Sequence, residues 1–96
     1  MRATIRRYPG AGASLDEVLR VGRQLADALD RVPGFVTFVL LEASDGQLTT
    51  LSIGEHAHDL ATVDDVARAW LCGPLGLTER QAADVVDAEV VIQRGL

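Results

Sequence analysis

The stretch Phe35–Glu55, FVTFVLLEASDGQLTTLSIGE, decides the fold. Two runs rich in β-branched, aromatic and leucine residues flank Asp45-Gly46, the pair favoured by a two-residue type I′ turn. The segment therefore predicts a β-hairpin with that turn at its tip. The register that follows from the turn pairs Leu40 with Leu51 and Phe38 with Ile53.

This register divides the hairpin into two faces. One face is predicted to carry Val36, Phe38, Leu40, Leu51 and Ile53, and the other to carry Phe35, Thr37, Val39, Leu41, Leu48, Thr50 and Ser52. Neither face is polar enough to lie against water. We expect helices to cover one face and a second copy of the chain to cover the other.

Two helices are predicted from capping pairs and apolar periodicity. The capping pairs are Ser14 with Glu17 and Thr62 with Asp65, and the ends lie at Pro33-Gly34 and at CGPLG, residues 72–76. The first apolar stripe holds Leu15, Val18, Leu19, Gly22, Leu25, Ala26 and Leu29, and the second holds Val63, Val66, Ala67, Trp70 and Leu71. LTERQAAD, residues 77–84, is expected to add a short helical turn.

Two further strands, predicted over Ala3–Tyr8 and Val85–Gln93, complete a β-α-β-β-α-β order. This is the split arrangement of ferredoxin-like α+β folds, in which two helices lie on one face of a four-stranded antiparallel sheet. The 96 residues make a single domain, 1–96. The uncovered sheet face predicts a homodimer that forms through the sheet faces.

Composition excludes several classes of function. The net charge is −5 without clustered cations, which argues against nucleic acid. No apolar run is long enough for a membrane, and the first ten residues lack the apolar region of a signal peptide. With its single cysteine, Cys72, the chain is expected to be cytoplasmic. It has no lysine and no asparagine, which is typical of a high-GC bacterial genome.

Four features of the chain occur together in one known group of proteins: Arg6-Arg7-Tyr8, Pro33-Gly34-Phe35, the Asp45-Gly46 hairpin and the helical Ala67–Trp70 segment. On these features the chain resembles the small dimeric α/β-barrel proteins of the antibiotic biosynthesis monooxygenase (ABM) type. It implies a dimer with two sheets face to face and a pocket between the helices and the sheet. We expect a protein of unassigned activity that binds a small apolar or aromatic ligand without a cofactor. The alternative is a cofactor-independent monooxygenase acting on an aromatic or polyketide-like substrate.

The resemblance also implies candidate site residues. Oxygenases of this group use an asparagine, a tryptophan and either an arginine or a histidine. Trp70 matches the tryptophan, no asparagine is present, and LCGPLG stands where a helix-end histidine would be. The candidate catalytic residues are Trp70, Arg6 and Tyr8, and the candidate ligand pocket is Phe38, Ile53 and Trp70. Ion pairs of the arginines with Asp87 and Glu89 are the structural alternative.

Two histidines, His56 and His58, stand between Glu55 and Asp59. If the strand continued, both imidazoles would project to one side, and either carboxylate would complete three metal ligands. A solvated polar loop is the favoured interpretation. No metal ion is predicted, with His56 and His58 as the candidates if one binds.

Overall fold

The architecture follows the predicted order of elements. The computed structural model describes residues 1–8, 15–73, 84–92 and 94. The elements are β1 (Arg2–Tyr8), α1 (Leu15–Leu29), β2 (Phe35–Glu42), β3 (Leu48–Gly54), α2 (Ala57–Cys72) and β4 (Asp84–Glu89). The strands form one antiparallel sheet in the order β2-β3-β1-β4, so the ferredoxin-like α+β fold is confirmed. The predicted cap at Ser14 and the turn over 77–83 lie outside the described residues.

The hairpin turn differs from the predicted one. The Ala43 N–H donates to the Gln47 carbonyl and the Gly46 N–H to the Ala43 carbonyl, each at 2.9 Å. Gly46 has a φ of +86°, whereas Asp45 does not adopt the positive φ that a type I′ turn requires. This is a three-residue loop, and it shifts the register by one. The observed pairs are Leu40 with Thr50 and Phe38 with Ser52, so the predicted register is wrong.

A one-residue shift moves β3 side chains to the opposite face of the sheet. The face toward the helices carries Phe38 and Leu40 of β2, Leu48, Thr50 and Ser52 of β3, and Thr4, Arg6 and Tyr8 of β1. The face away from the helices, here called the open face, carries the rows Val39, Leu51, Ile5, Val86 and Thr37, Ile53, Ala3, Ala88. The predicted grouping of Thr37 with Thr50 and Ser52 is therefore wrong, as is that of Leu51 and Ile53 with Phe38.

Helix α1 packs on the sheet through a stripe close to the predicted one. Val18, Val21, Leu25 and Leu29 are buried, at the spacing that keeps side chains on one helical face. Leu19 and Ala26 were expected to point inward but are exposed. The buried face of the helix includes Val21, which was not predicted, and is centred away from these two residues. The inward face of α1 is therefore narrower than the sequence pattern predicted.

Helix α2 begins earlier than predicted. Its N-cap is His56, whose backbone N–H donates to the Asp59 carboxylate at 3.2 Å. Thr62 lies inside the helix, where its hydroxyl donates to the His58 carbonyl at 3.2 Å, so the predicted Thr62 cap is wrong. The predicted stripe is buried or half-buried, and the helix ends at Cys72 as expected. Neither of the described helices is long and apolar enough to span a bilayer.

Candidate functional site

A cavity of about 320 Å³ lies between α2 and the half of the sheet that contains β1 and β4. Helix α2 lines it with Ala57, Leu60, Ala61 and Asp64, which share one helical face at i, i+3, i+4 and i+7. The sheet lines it with Arg2, Thr4 and Arg6, which alternate along β1, and with Asp87 of β4. The cavity therefore has a mainly apolar helical wall and a polar strand wall.

Arg6 is the central charged group of this cavity. Its guanidinium donates through Nε and Nη2 to the two carboxylate oxygens of Asp64, at 2.8 and 2.7 Å. Both side chains are mostly buried, with 16% and 13% exposed. The hydrogen bond to Asp64 raises the pKa of Arg6, so its charge is permanent. Asp64 also lies 3.3 Å from the Arg68 guanidinium.

The ion-pair partners expected from sequence are only partly correct. Arg6 pairs with Asp64 of α2 and not with Asp87 or Glu89. Glu89 instead contacts Arg2 at 3.0 Å, and Asp87 accepts a hydrogen bond from the Thr4 hydroxyl at 2.7 Å. Asp87 thus contributes a carboxylate, held by the Thr4 hydroxyl, to the cavity wall, whereas Arg2 of that wall forms an exposed ion pair with Glu89.

Tyr8 lies in the core and does not line the cavity. It is 1% exposed and packs with Val18, Leu48 and Leu71. Desolvation raises the pKa of its phenol. Tyr8 is accordingly a neutral phenol at neutral pH.

We expect Tyr8, the single tyrosine, to titrate above the ordinary tyrosine value of about 10. A raised native pKa means that the folded state holds the proton more tightly than the unfolded state. Its contribution to stability is complete below pH of about 10 and is lost as the pH rises through the native value. Ultraviolet titration of the phenolate, with the denatured chain as control, measures both midpoints. A native midpoint at or below the denatured one would contradict the burial of Tyr8.

Two of the three residues predicted to form a ligand pocket lie together, and the third does not. Phe38 and Trp70 pack against one buried cluster, Leu25, Leu29, Val63 and Ala67. Ile53 is buried on the open-face side of the sheet, and none of the three predicted residues lines the cavity. Of the candidate catalytic residues, only Arg6 lies at the cavity. The roles assigned to Trp70 and Tyr8 stay predictions.

Solved structures share this fold over almost the whole chain. An antibiotic biosynthesis monooxygenase-type protein from Chloroflexus aurantiacus has a TM-score of 0.67 at 9% identity, over 98% of this chain and 96% of that one. The chain therefore has the fold of antibiotic biosynthesis monooxygenase-type proteins. A heme-degrading protein from Mycobacterium tuberculosis has a TM-score of 0.55 at 26% identity, over 98% of each chain.

A further solved structure with this fold is that of SnoaB, a cofactor-independent oxygenase from Streptomyces nogalater. It has a TM-score of 0.57 at 16% identity, over 99% of this chain and 95% of that one. The SnoaB structure is that of a variant in which an asparagine is replaced by alanine. The present chain contains no asparagine. Neither a protein-family profile nor a curated protein sequence matches the chain. The resemblance predicted from the sequence is confirmed for the fold.

The histidine motif, His56 and His58, lies at the start of α2. The strand does not continue through the motif, which was the condition for both imidazoles to project to one side of it, because α2 begins directly after His56. Both imidazoles nevertheless approach one carboxylate: His56 Nδ1 is 3.1 Å and His58 Nε2 is 3.2 Å from the oxygens of Asp59. This cluster is separate from the cavity lining.

The sequence analysis missed most of the residues that line the cavity. Asp64 was not singled out, because the predicted helix began too late to include the stripe Ala57, Leu60, Ala61, Asp64. Had Asp59 been recognised as the N3 partner of a cap at His56, that stripe would have followed from the i, i+3, i+4 rule.

Proposed function

We propose that this protein is a homodimer that binds a small aromatic molecule with a phenolic or carboxylate oxygen in the cavity between α2 and the sheet. The two unlike walls of the cavity carry the proposal. A ring would lie against Ala57, Leu60 and Ala61, and its oxygen would accept a hydrogen bond from Arg6. The guanidinium has more N–H donors than its pair with Asp64 uses. The volume of about 320 Å³ suits a small ligand.

The proposed ligand site differs from the pocket expected from sequence. Phe38 and Trp70 occupy the space between α1, α2 and β2 as part of the packed core. The cavity lies on the other side of α2, over β1 and β4. Helix α2 therefore lies between this apolar core and the polar-walled cavity, and the cavity is the proposed ligand site.

The open face supports the homodimer. Its central row, Val39, Leu51, Ile5 and Val86, is apolar on all four strands. Val86 is 51% exposed and Leu41, in the next row, is 55% exposed. An apolar sheet face of this extent is stabilised by burial, and a two-fold copy of the same surface is self-complementary.

Filling the cavity tests the ligand proposal. We expect Ala61→Leu to weaken binding of dihydroxyaromatic or anthrone-type compounds by at least roughly tenfold, because the larger side chain occupies the ring position. Ala61 is exposed on α2, so leucine is tolerated by the helix. The matched control is Ala69→Leu, an exposed alanine of the same helix that does not line the cavity. Isothermal titration calorimetry in the presence of EDTA measures each affinity.

The control must bind as tightly as the wild type. Equal affinities for the wild type, Ala61→Leu and Ala69→Leu would show that the compounds bind elsewhere. No heat with any compound of either class would contradict the ligand proposal itself.

A cofactor-independent monooxygenase is the second candidate, favoured by the permanent charge of Arg6 at the cavity wall. In such a reaction a substrate phenolate gives an electron to oxygen, and the protein orients the anion and stabilises its charge. Oxygen uptake recorded on the same complexes separates the two functions. Oxygen uptake that Ala61→Leu abolishes supports the oxygenase. Ligand binding without oxygen uptake supports a protein that binds the ligand and does not oxidise it.

A further inference from the structure

We infer that His56, His58 and Asp59 form a binding site for one divalent metal ion of the Zn²⁺ class at the start of α2. Each residue offers one ligand atom, and the three atoms lie within 4.8 Å of one another. Two imidazoles and a carboxylate are a ligand set that Zn²⁺ accepts, with a water molecule completing the coordination. The site is separate from the proposed ligand cavity and does not depend on it.

The spacing of the ligand atoms suits a tetrahedral ion. Metal–nitrogen and metal–oxygen bonds to Zn²⁺ place neighbouring ligand atoms roughly 3.3 Å apart. His56 Nδ1 is 3.1 Å from Asp59 Oδ2, and His58 Nε2 is 3.2 Å from Asp59 Oδ1. Each imidazole therefore lies at coordination spacing from a different oxygen of the same carboxylate, and the three ligand atoms, within 4.8 Å of one another, must draw closer when the ion binds.

The carboxylate is held in place before any ion arrives. Asp59 is 11% exposed, and it accepts the His56 backbone N–H at 3.2 Å. It packs over Gly34, where an added Cβ would lie 2.2 Å from its Cγ atom. The glycine thus makes the room that Asp59 occupies. A fixed anionic ligand also offsets the positive end of the helix dipole, which by itself disfavours a cation.

The histidines are the adjustable part of the site. Their side chains are 68% and 82% exposed, and their rings stack with centroids 5.6 Å apart and planes 8° from parallel. Because an imidazole binds a metal in its own plane, at least one ring must turn toward the ion. Exposure allows that rotation at the expense of the stack and of hydrogen bonds to Asp59.

Calorimetric titration of the full chain, without an affinity tag, with Zn²⁺ tests the inference. We expect one ion per chain, reversed by EDTA, and a rise in melting temperature of roughly 5 °C or more at saturation. His58→Ala should weaken binding by at least roughly tenfold, because it removes one of three protein ligands. Cys72→Ser is the matched control for thiol binding and should bind Zn²⁺ like the wild type.

His58 is exposed, so His58→Ala is expected to keep the wild-type circular dichroism spectrum. Wild-type protein that takes up no Zn²⁺ at millimolar concentration would overturn the inference. Equal affinity in the wild type and His58→Ala would also overturn it, as would loss of binding in Cys72→Ser alone. The aromatic-ligand titrations contain EDTA and therefore no free Zn²⁺. Failure of the Zn²⁺ titration would leave the ligand proposal standing, and failure of the ligand titrations would leave the Zn²⁺ inference standing.

Discussion

Replacing Gly54 with alanine is expected to lower the free energy of unfolding by about 3 kcal/mol. Gly54 ends β3, and α2 begins three residues later, so the two backbones pass very close to each other. A Cβ atom at Gly54 would lie 2.5 Å from the backbone nitrogen of Leu60 and 2.9 Å from its Cα atom. Backbone cannot rotate away as a side chain can. The helix would have to move off the sheet, which would disturb the burial of Leu60 and Val63.

Gly22→Ala is the matched control. Gly22 lies inside α1, and no heavy atom comes within 4 Å of a Cβ placed there. Alanine at this position should raise the free energy of unfolding by about 1 kcal/mol, because it restricts the unfolded chain and favours the helix. Urea denaturation followed by circular dichroism, at one protein concentration, measures both changes. A Gly54→Ala protein as stable as the wild type would show that β3 and α2 are not in this contact.

Replacing Ile5 with glutamate is expected to convert the proposed homodimer into a monomer. Ile5 lies on the inner strand β1, in the apolar row of the open face between Leu51 and Val86. In a dimer that pairs the open faces, the carboxylate would be buried without a partner. We expect self-association to weaken at least roughly 100-fold. Light scattering coupled to size exclusion distinguishes the mass of one chain from that of two.

Leu19→Glu controls for adding a charge at an exposed apolar residue. Leu19 is 50% exposed on α1, on the opposite side of the sheet from the open face. This variant should remain dimeric. Monomeric wild-type protein at micromolar concentration would contradict the homodimer proposal, and a dimeric Ile5→Glu protein would place the interface on another surface.

The sequence alone determined the order of the elements and several of their local features. The hairpin around Asp45-Gly46, the strand at β1 and the end of α2 at Cys72 were predicted correctly. Each depends on periodicity and turn residues within a short window, where local sterics and hydrogen bonding dominate. The fold resemblance followed from the same local features in their order along the chain.

The tertiary structure alone decided the register of the hairpin and the cavity. Whether the turn has two or three residues is settled by which β3 side chains pack under the helices, a contact that no local pattern encodes. Arg6 and Asp64 are 58 residues apart in sequence, and only the folding of α2 onto β1 brings them to 2.7 Å. A site built from such distant pairs exists only once the sheet and the helix have packed together.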